Sequence, residues 1–253
     1  MSVCDNDIIL FHKACSRIIG EERKKNGIGT LSEKTVHAVL KNFYEPDISH
    51  QEIPVENFVA DILRDDEIIE IQTRGFNKLR RKLDTFLKYY PVTIVYPIIH
   101  TKWLYWIDED TGEVTNKRKS PKTGTIYDAI PELYKIKMYL DNPNLHLCLV
   151  LIDAEEYRLL NGWSKDRKKG STRFDRIPKE LVDEYYIGCP ADYQCLIPEG
   201  LPPEFTSADF AKAAHIPRGY AQTTLTILHH VKVVERTGKK GNAYIYSKSS
   251  SSM

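Results

Sequence analysis

Three side chains in one short stretch have the composition of a metal-dependent phosphate site. They are Asp61 in Phe58-Val59-Ala60-Asp61, and Glu70 and Gln72 in Ile69-Glu70-Ile71-Gln72. An extended backbone alternates its side chains, so Glu70 and Gln72 share one face while Ile69 and Ile71 occupy the opposite, buried one. If the two stretches are neighbouring antiparallel strands, Asp61 and Glu70 project from the same face. Two hard carboxylates on one sheet edge suit Mg2+ (or Mn2+), which keeps several waters and accepts one or two protein carboxylates. An ion held there would polarise a phosphate and activate a water. A half-exposed sheet face with solvated acids accounts for the same residues without chemistry.

A second constellation lies near the C-terminus. The net charge is only +1, but from Thr206 to Lys248 seven basic residues face two acids. Two further basic stretches are Lys117-Arg118-Lys119 with Lys122, and Lys165 to Arg176. Local positive charge of this kind implies an anionic partner.

The elements that must position these residues follow from periodicity. Asp5 to Lys25 reads as a helix ending in a Gly-containing turn at Asn26–Gly29. Thr30-Leu31-Ser32-Glu33 is a capping-box pattern that opens a helix to about Tyr44. The period then changes to two. Glu52–Val55, Phe58–Leu63 and Ile68–Thr73 read as three strands joined by turns at Glu56-Asn57 and Asp65-Asp66, an antiparallel meander. Phe76, Leu79, Leu83, Phe86, Leu87 and Tyr90 recur at helical spacing, with Lys78, Arg80, Arg81, Lys82 and Lys88 between them. Pro91 ends that helix, and Val92–Ile99 reads as a buried strand parallel to an earlier one. Beyond it we expect a hairpin over Trp103–Ile107 and Glu113–Thr115, a loop at 116–124, a helix over Ile126–Leu140 and a strand over Leu145–Ile152. Short helices are expected at Pro178–Tyr186 and Asp192–Ile197. Pro198–Pro203 reads as a linker. In the last segment Thr206 or Ser207 caps a helix over Ala208–Ala214, and Gly219–Val231 forms a second. Strands at Val233–Arg236 and Asn242–Tyr246 flank Thr237–Gly241.

Residues 205–247 resemble the winged helix-turn-helix family, including a basic Gly-rich wing. The resemblance implies that the second helix enters the major groove, with Arg218, Gln222, Thr223, Thr226 and His230 as polar contacts. Lys239 and Lys240 of the wing would neutralise phosphate. Winged helices also serve as protein-docking or dimerisation modules.

The element order and the Asp61-to-Glu70-to-Gln72 spacing resemble the PD-(D/E)xK nuclease superfamily over roughly residues 30–100. The resemblance implies a restriction-endonuclease-like αβββαβ core, with Asp61 and Glu70 as metal ligands. Gln72 stands at the position of the superfamily's lysine, so Lys78 or Lys82 on the next helix would supply the missing charge. Ala60 precedes Asp61 where the superfamily has proline. The whole chain also looks like an uncharacterised bacterial family that joins such a core to a C-terminal winged helix. Glu33 is a first-helix acid of the kind that joins such sites, but its capping box already explains it. Glu52 is a further acid that could point inward. His37, one turn after Glu33, reads as satisfied or solvated, with the cleft as the alternative.

The expected fold class is therefore α/β. A helical extension covers 1–29, a nuclease-like domain 30–197, a linker 198–204 and a winged-helix domain 205–248. The expected function is a Mg2+-dependent phosphodiesterase on DNA. The alternative is a non-catalytic DNA-binding regulator that keeps the fold, and a homodimer is compatible with either. Apolar residues at 42% and charged residues at 28% exclude wholesale disorder. No apolar run approaches the roughly 20 residues that cross a bilayer, and the N-terminus lacks the order of a signal peptide. A cytoplasmic protein is expected, with no membrane partner. The five cysteines are odd in number and none is spaced as CxxC, so neither a zinc knuckle nor a disulfide framework is expected.

Overall fold

The alternating and continuous apolar runs pair into one seven-stranded sheet with helices on both faces, an α/β fold. A computed structural model describes residues 3–26, 34–114, 117–161 and 170–249. Helices α1 (Asp5–Asn26) and α2 (Lys34–Tyr44) come first. Strands β1 (Gln51–Val55), β2 (Phe58–Arg64) and β3 (Glu67–Ile71) follow as an antiparallel meander. The β2–β3 turn holds Asp65 and Asp66 at φ 46° and 62°, the double left-handed geometry of a tight two-residue hairpin that Asp tolerates. Gly75, at φ 74°, starts a 3-10 turn, Phe76–Lys78, that leads into α3 (Arg80–Phe86). The chain then returns as β4 (Val92–Asp108), parallel to β3. The crossover exists because Phe76, Leu79, Leu83 and Phe86 bury one stripe of the turn and α3 against the sheet.

From here the strands are longer than periodicity suggested. β4 continues through Trp103–Ile107, and among the described residues the expected hairpin contributes a single bridge, Ile107 to Val114. Within the expected loop, Arg118–Lys119 forms β5 on the edge of β4. The helix expected over Ile126–Leu140 is broken into a 3-10 turn, α4 (Ile130–Lys135) and a second 3-10 turn. Thr125 and Asp128 cap the first piece, and Pro131 sits in the first turn of α4, where its missing N–H costs nothing. β6 (Leu145–Leu160) runs parallel to β4, and β7 (Thr172–Ile187) antiparallel to β6. The helix expected at Pro178–Tyr186 is wrong: those residues are β7. Leu147 to Leu159 of β6 supply a long partner ladder, and Pro178, which cannot donate to it, lies beside a register shift opposite Ala154. The capping box at Thr30–Glu33 and the turn at residues 27–29 lie outside the described residues.

Two cores sandwich the sheet. On one face α1 and α2 bring Phe11, Val36, Val39 and Leu40 against Ile62, Ile69, Ile71, Val95 and Val150. On the other, Ile68, Ile94, Leu147 and Leu149 meet α3 and α4. That second core runs without a break into the C-terminal unit. Residues 198–203 carry no regular structure. Then come β8 (Glu204–Thr206), α5 (Ser207–Ala213), α6 (Arg218–His230), β9 (Val234–Lys240) and β10 (Ala243–Lys248). Thr206 caps α5 reciprocally with Asp209. The strands form a small sheet in the order β8-β10-β9. Ala221, Leu225 and Leu228 face its interior, fully buried, while Phe210 meets Tyr127 edge-to-face at 6.2 Å. Among the described residues no helix is long and apolar enough to cross a membrane.

Candidate active site

The last ladder pair between β2 and β3 is Ile62 opposite Ile69. One step further, where the two strands part, stand Asp61 and Glu70. Each acid binds the other strand's backbone: the Ile71 N–H donates to Asp61 Oδ2 at 2.8 Å, and the Asp61 N–H to Glu70 Oε1 at 3.4 Å. The two carboxylates therefore lie side by side at a local break in the ladder. Opening the ladder there frees main-chain donors that only an acceptor side chain can satisfy without water.

Helices from both faces close on this pair. Lys82 of α3 donates to Glu70 Oε1 at 3.0 Å and to Oε2 at 2.8 Å. His37 of α2 sets its Nε2 3.2 Å from Asp61 Oδ2. Glu70 is 2% exposed. Its burial, reinforced by the charge of Asp61, pushes its carboxyl up to about 7, against the opposing pull of Lys82. Burial also works against ionisation of Asp61, yet the bonds from His37 and the Ile71 N–H, with the charge of Lys82, leave it below the ordinary aspartate value. The pair is thus polarised into one ionised acid and one that titrates near neutrality.

The other expected site residues divide. Of the two lysines, Lys82 joins the carboxylates. Lys78 sits exposed on the 3-10 turn, because the turn's tighter winding puts it away from the stripe that faces the sheet. Gln72 lies one residue past the end of β3, and its side-chain amide donates to the Arg74 carbonyl. Glu52 pairs with Lys41 and is largely exposed. Glu33 lies outside the described residues. His37 is the residue that sequence reasoning undervalued; its i+4 spacing from Glu33 was the available signal.

In the C-terminal unit, Arg218, Gln222 and Thr226 recur every fourth residue and so line one face of α6. Arg218 and Gln222 are exposed; Thr223 and Thr226 are half-buried, and their hydroxyls donate to the Gly219 and Gln222 carbonyls at 3.0 Å and 2.8 Å. Lys239 and Lys240 are exposed on β9, which extends through the segment expected to be a wing loop. Arg236 and Lys239 lie 4.1 Å and 4.9 Å from the Tyr244 ring, an arrangement that fixes two cations on one surface. His230 does not belong to this surface. Its Nε2 faces Asp141 at 3.6 Å, because the last turn of α6 packs toward the α4 layer.

The donor set fits a small divalent cation. Burial first, and then the charge of neighbouring Asp61, raises Glu70, and a cation between the two hard carboxylates would offset both. Among the described residues no group of three or more His, Cys, Asp or Glu could enclose a metal.

Comparison with known proteins adds a family and no activity. The profile of the family described as Domain of unknown function (DUF8091) matches residues 34–188. An uncharacterised protein of Treponema pallidum (strain Nichols) is 31% identical over 160 residues. That stretch is 62% of this chain and 61% of the relative's own length. No solved structure matches.

Proposed function

The chain belongs to the DUF8091 family, and from its geometry we propose that it is a metal-dependent phosphodiesterase acting on DNA in the cytoplasm. The proposed core is of the PD-(D/E)xK kind, joined to a winged helix that supplies nucleic-acid affinity. One observation carries this: Asp61 and Glu70 meet where two strands part, with a lysine from the next helix on Glu70. Asp61 and Glu70 would hold Mg2+ (or Mn2+), which when bound supplies charge to a phosphate oxygen and acidity to a water. Lys82 would orient the attacking water and offset negative charge, the role left open by Gln72. His37 keeps Asp61 ionised and oriented. The face of α6 with Arg218, Gln222 and Thr226, and the hairpin with Lys239 and Lys240, would hold the DNA backbone.

The second reading is a non-catalytic DNA-binding regulator with the same core. It is favoured by Lys82 engaging both oxygens of Glu70. One experiment separates the two: the purified chain with Mg2+ or Mn2+ on plasmid, single-stranded and branched DNA, beside Asp61→Ala and Glu70→Ala. We expect cleavage by the parent chain and its loss in both variants. Equal cleavage by the variants would remove these acids from the chemistry. Binding with no cleavage under any divalent ion would leave the regulator.

A further inference from the structure

Next to the two acids lies a cavity of about 230 Å³ lined by Val36, Thr73, Arg74, Pro97, Ile99, Arg173 and Arg176. Three arginines from two distant parts of the chain line it, and the Asp175 carboxylate acts on two of them, Arg173 and Arg176. The volume exceeds several waters at roughly 30 Å³ each, so a tetrahedral oxyanion fits with room for part of a sugar. We propose that this cavity binds the terminal phosphomonoester of a nucleic-acid strand whose next phosphodiesters pass over Asp61 and Glu70. The inference rests on the nucleic-acid reading above and names the strand end as the substrate feature.

Position supports it. Thr73 and Arg74 directly follow Gln72, whose N–H bonds the Val95 carbonyl at 2.9 Å, and bend into the cavity wall that Pro97 and Ile99 of β4 share. Val36 adjoins His37 on α2. At about 3.3 Å per fully extended residue, Thr73 lies at most roughly 10 Å from Glu70. That is the span of a few nucleotides at about 3.4 Å of axial rise each.

Chemistry supports it too. Arginine forks match phosphate oxygens in pairs, which lysine cannot do. Arg176 is held by Glu156 at 2.7 Å through one Nη, while its buried Nε has no hydrogen-bond partner. Glu156 is itself fixed by Arg158 at 2.8 Å, and these cations, with Lys102, hold its carboxyl down to about 2. It thus anchors Arg176 as a permanent anion. With Lys102 and Arg158 also around Glu156, cations outnumber the Glu156 and Asp175 carboxylates here, which favours a doubly charged phosphomonoester over a singly charged internal diester. Val36, Pro97 and Ile99 give the adjoining sugar an apolar wall.

The test uses the full chain in EDTA, so that cleavage plays no part. Fluorescent single-stranded oligonucleotides ending in a 5′-phosphate, a 3′-phosphate or hydroxyls only are titrated by anisotropy. One phosphorylated end should bind on the order of tenfold more tightly than the hydroxyl form, the worth of one charged hydrogen bond. Arg74→Gln with Arg173→Gln should erase that preference, so that phosphorylated and hydroxyl ends bind within about twofold of one another. Arg173→Lys should keep part of it. Arg176 is left intact because it holds Glu156. Asp61→Ala should keep the full preference, which separates this site from the catalytic reading. Equal affinity for all three ends, or a preference that survives the double variant, would overturn the proposal. So would inorganic phosphate that raises the melting temperature as much as the phosphorylated strand does, since the cavity would then serve free phosphate.

Discussion

Replacing Glu70 by glutamine should stabilise the metal-free protein above neutral pH and leave it nearly unchanged in acid. Glu70 is almost wholly buried, and its carboxyl is raised from 4.5 to about 7 in the fold. Between those values the native state holds a proton that the unfolded chain has released, so stability falls as pH rises through this window. At 1.36 kcal/mol per pH unit the full gap corresponds to about 3 kcal/mol. About 2.5 kcal/mol of it develops between pH 5 and pH 8. The substituted amide would be neutral in both states and escape the penalty, while its oxygen still accepts from Lys82. The assay is urea denaturation of both proteins in EDTA at pH 5 and pH 8. For a chain of this size the part that develops between pH 5 and pH 8 corresponds to a melting-point rise of roughly 5–10 °C. A difference between the two proteins that does not change from pH 5 to pH 8 would refute the idea that Glu70 carries a proton near neutrality. The variant should meanwhile lose divalent-ion binding, an exchange of stability for function common at charged sites.

Three other outcomes follow from the same geometry. Divalent-ion affinity should rise with pH up to about 7 and then level off, with proton release visible as buffer-dependent heat in calorimetry, because Glu70 must ionise to bind; a flat pH profile would contradict this. Lys239→Ala and Lys240→Ala should each weaken DNA binding across all sequences and lower the salt slope by about one, whereas His230→Ala, which faces Asp141, should change the slope little. Leu225→Ala should cost about 2–5 kcal/mol and lower a single melting transition for the whole chain, since Leu225 shares one core with Leu133 and Leu149; separate transitions would show that the C-terminal unit melts alone.

How much of this was legible in the sequence depended on how local the signal was. The meander around Asp61 and Glu70 could be read because its turns are short and its alternation strict, so the pairing of the two acids followed from strand geometry alone. The α5–α6 pair and its hairpin were readable for similar reasons: a reciprocal cap at Thr206 and a helical stripe at Ala221, Leu225 and Leu228. What failed was long-range. Pro178–Tyr186 has no helix signature stronger than its strand signature, and only the β6 ladder makes it a strand. The 126–140 segment shows helical spacing, but Pro131 and the cap at Thr125 divide it into short pieces. The arginine cavity was the least visible, because Arg74 and Arg173 meet only after β4, β6 and β7 are assembled. Lys82 was separable from Lys78 only once the 3-10 turn at Phe76–Lys78 was seen.

The most direct test of the central claim is a crystal of this protein soaked in Mn2+ and measured at the manganese edge. We expect one anomalous peak in contact with both Asp61 and Glu70, at about 2.1 Å from a carboxylate oxygen of each. No peak there, or a peak bound by one acid while the other stays on its backbone partner, would contradict a shared divalent ion and with it the hydrolytic reading.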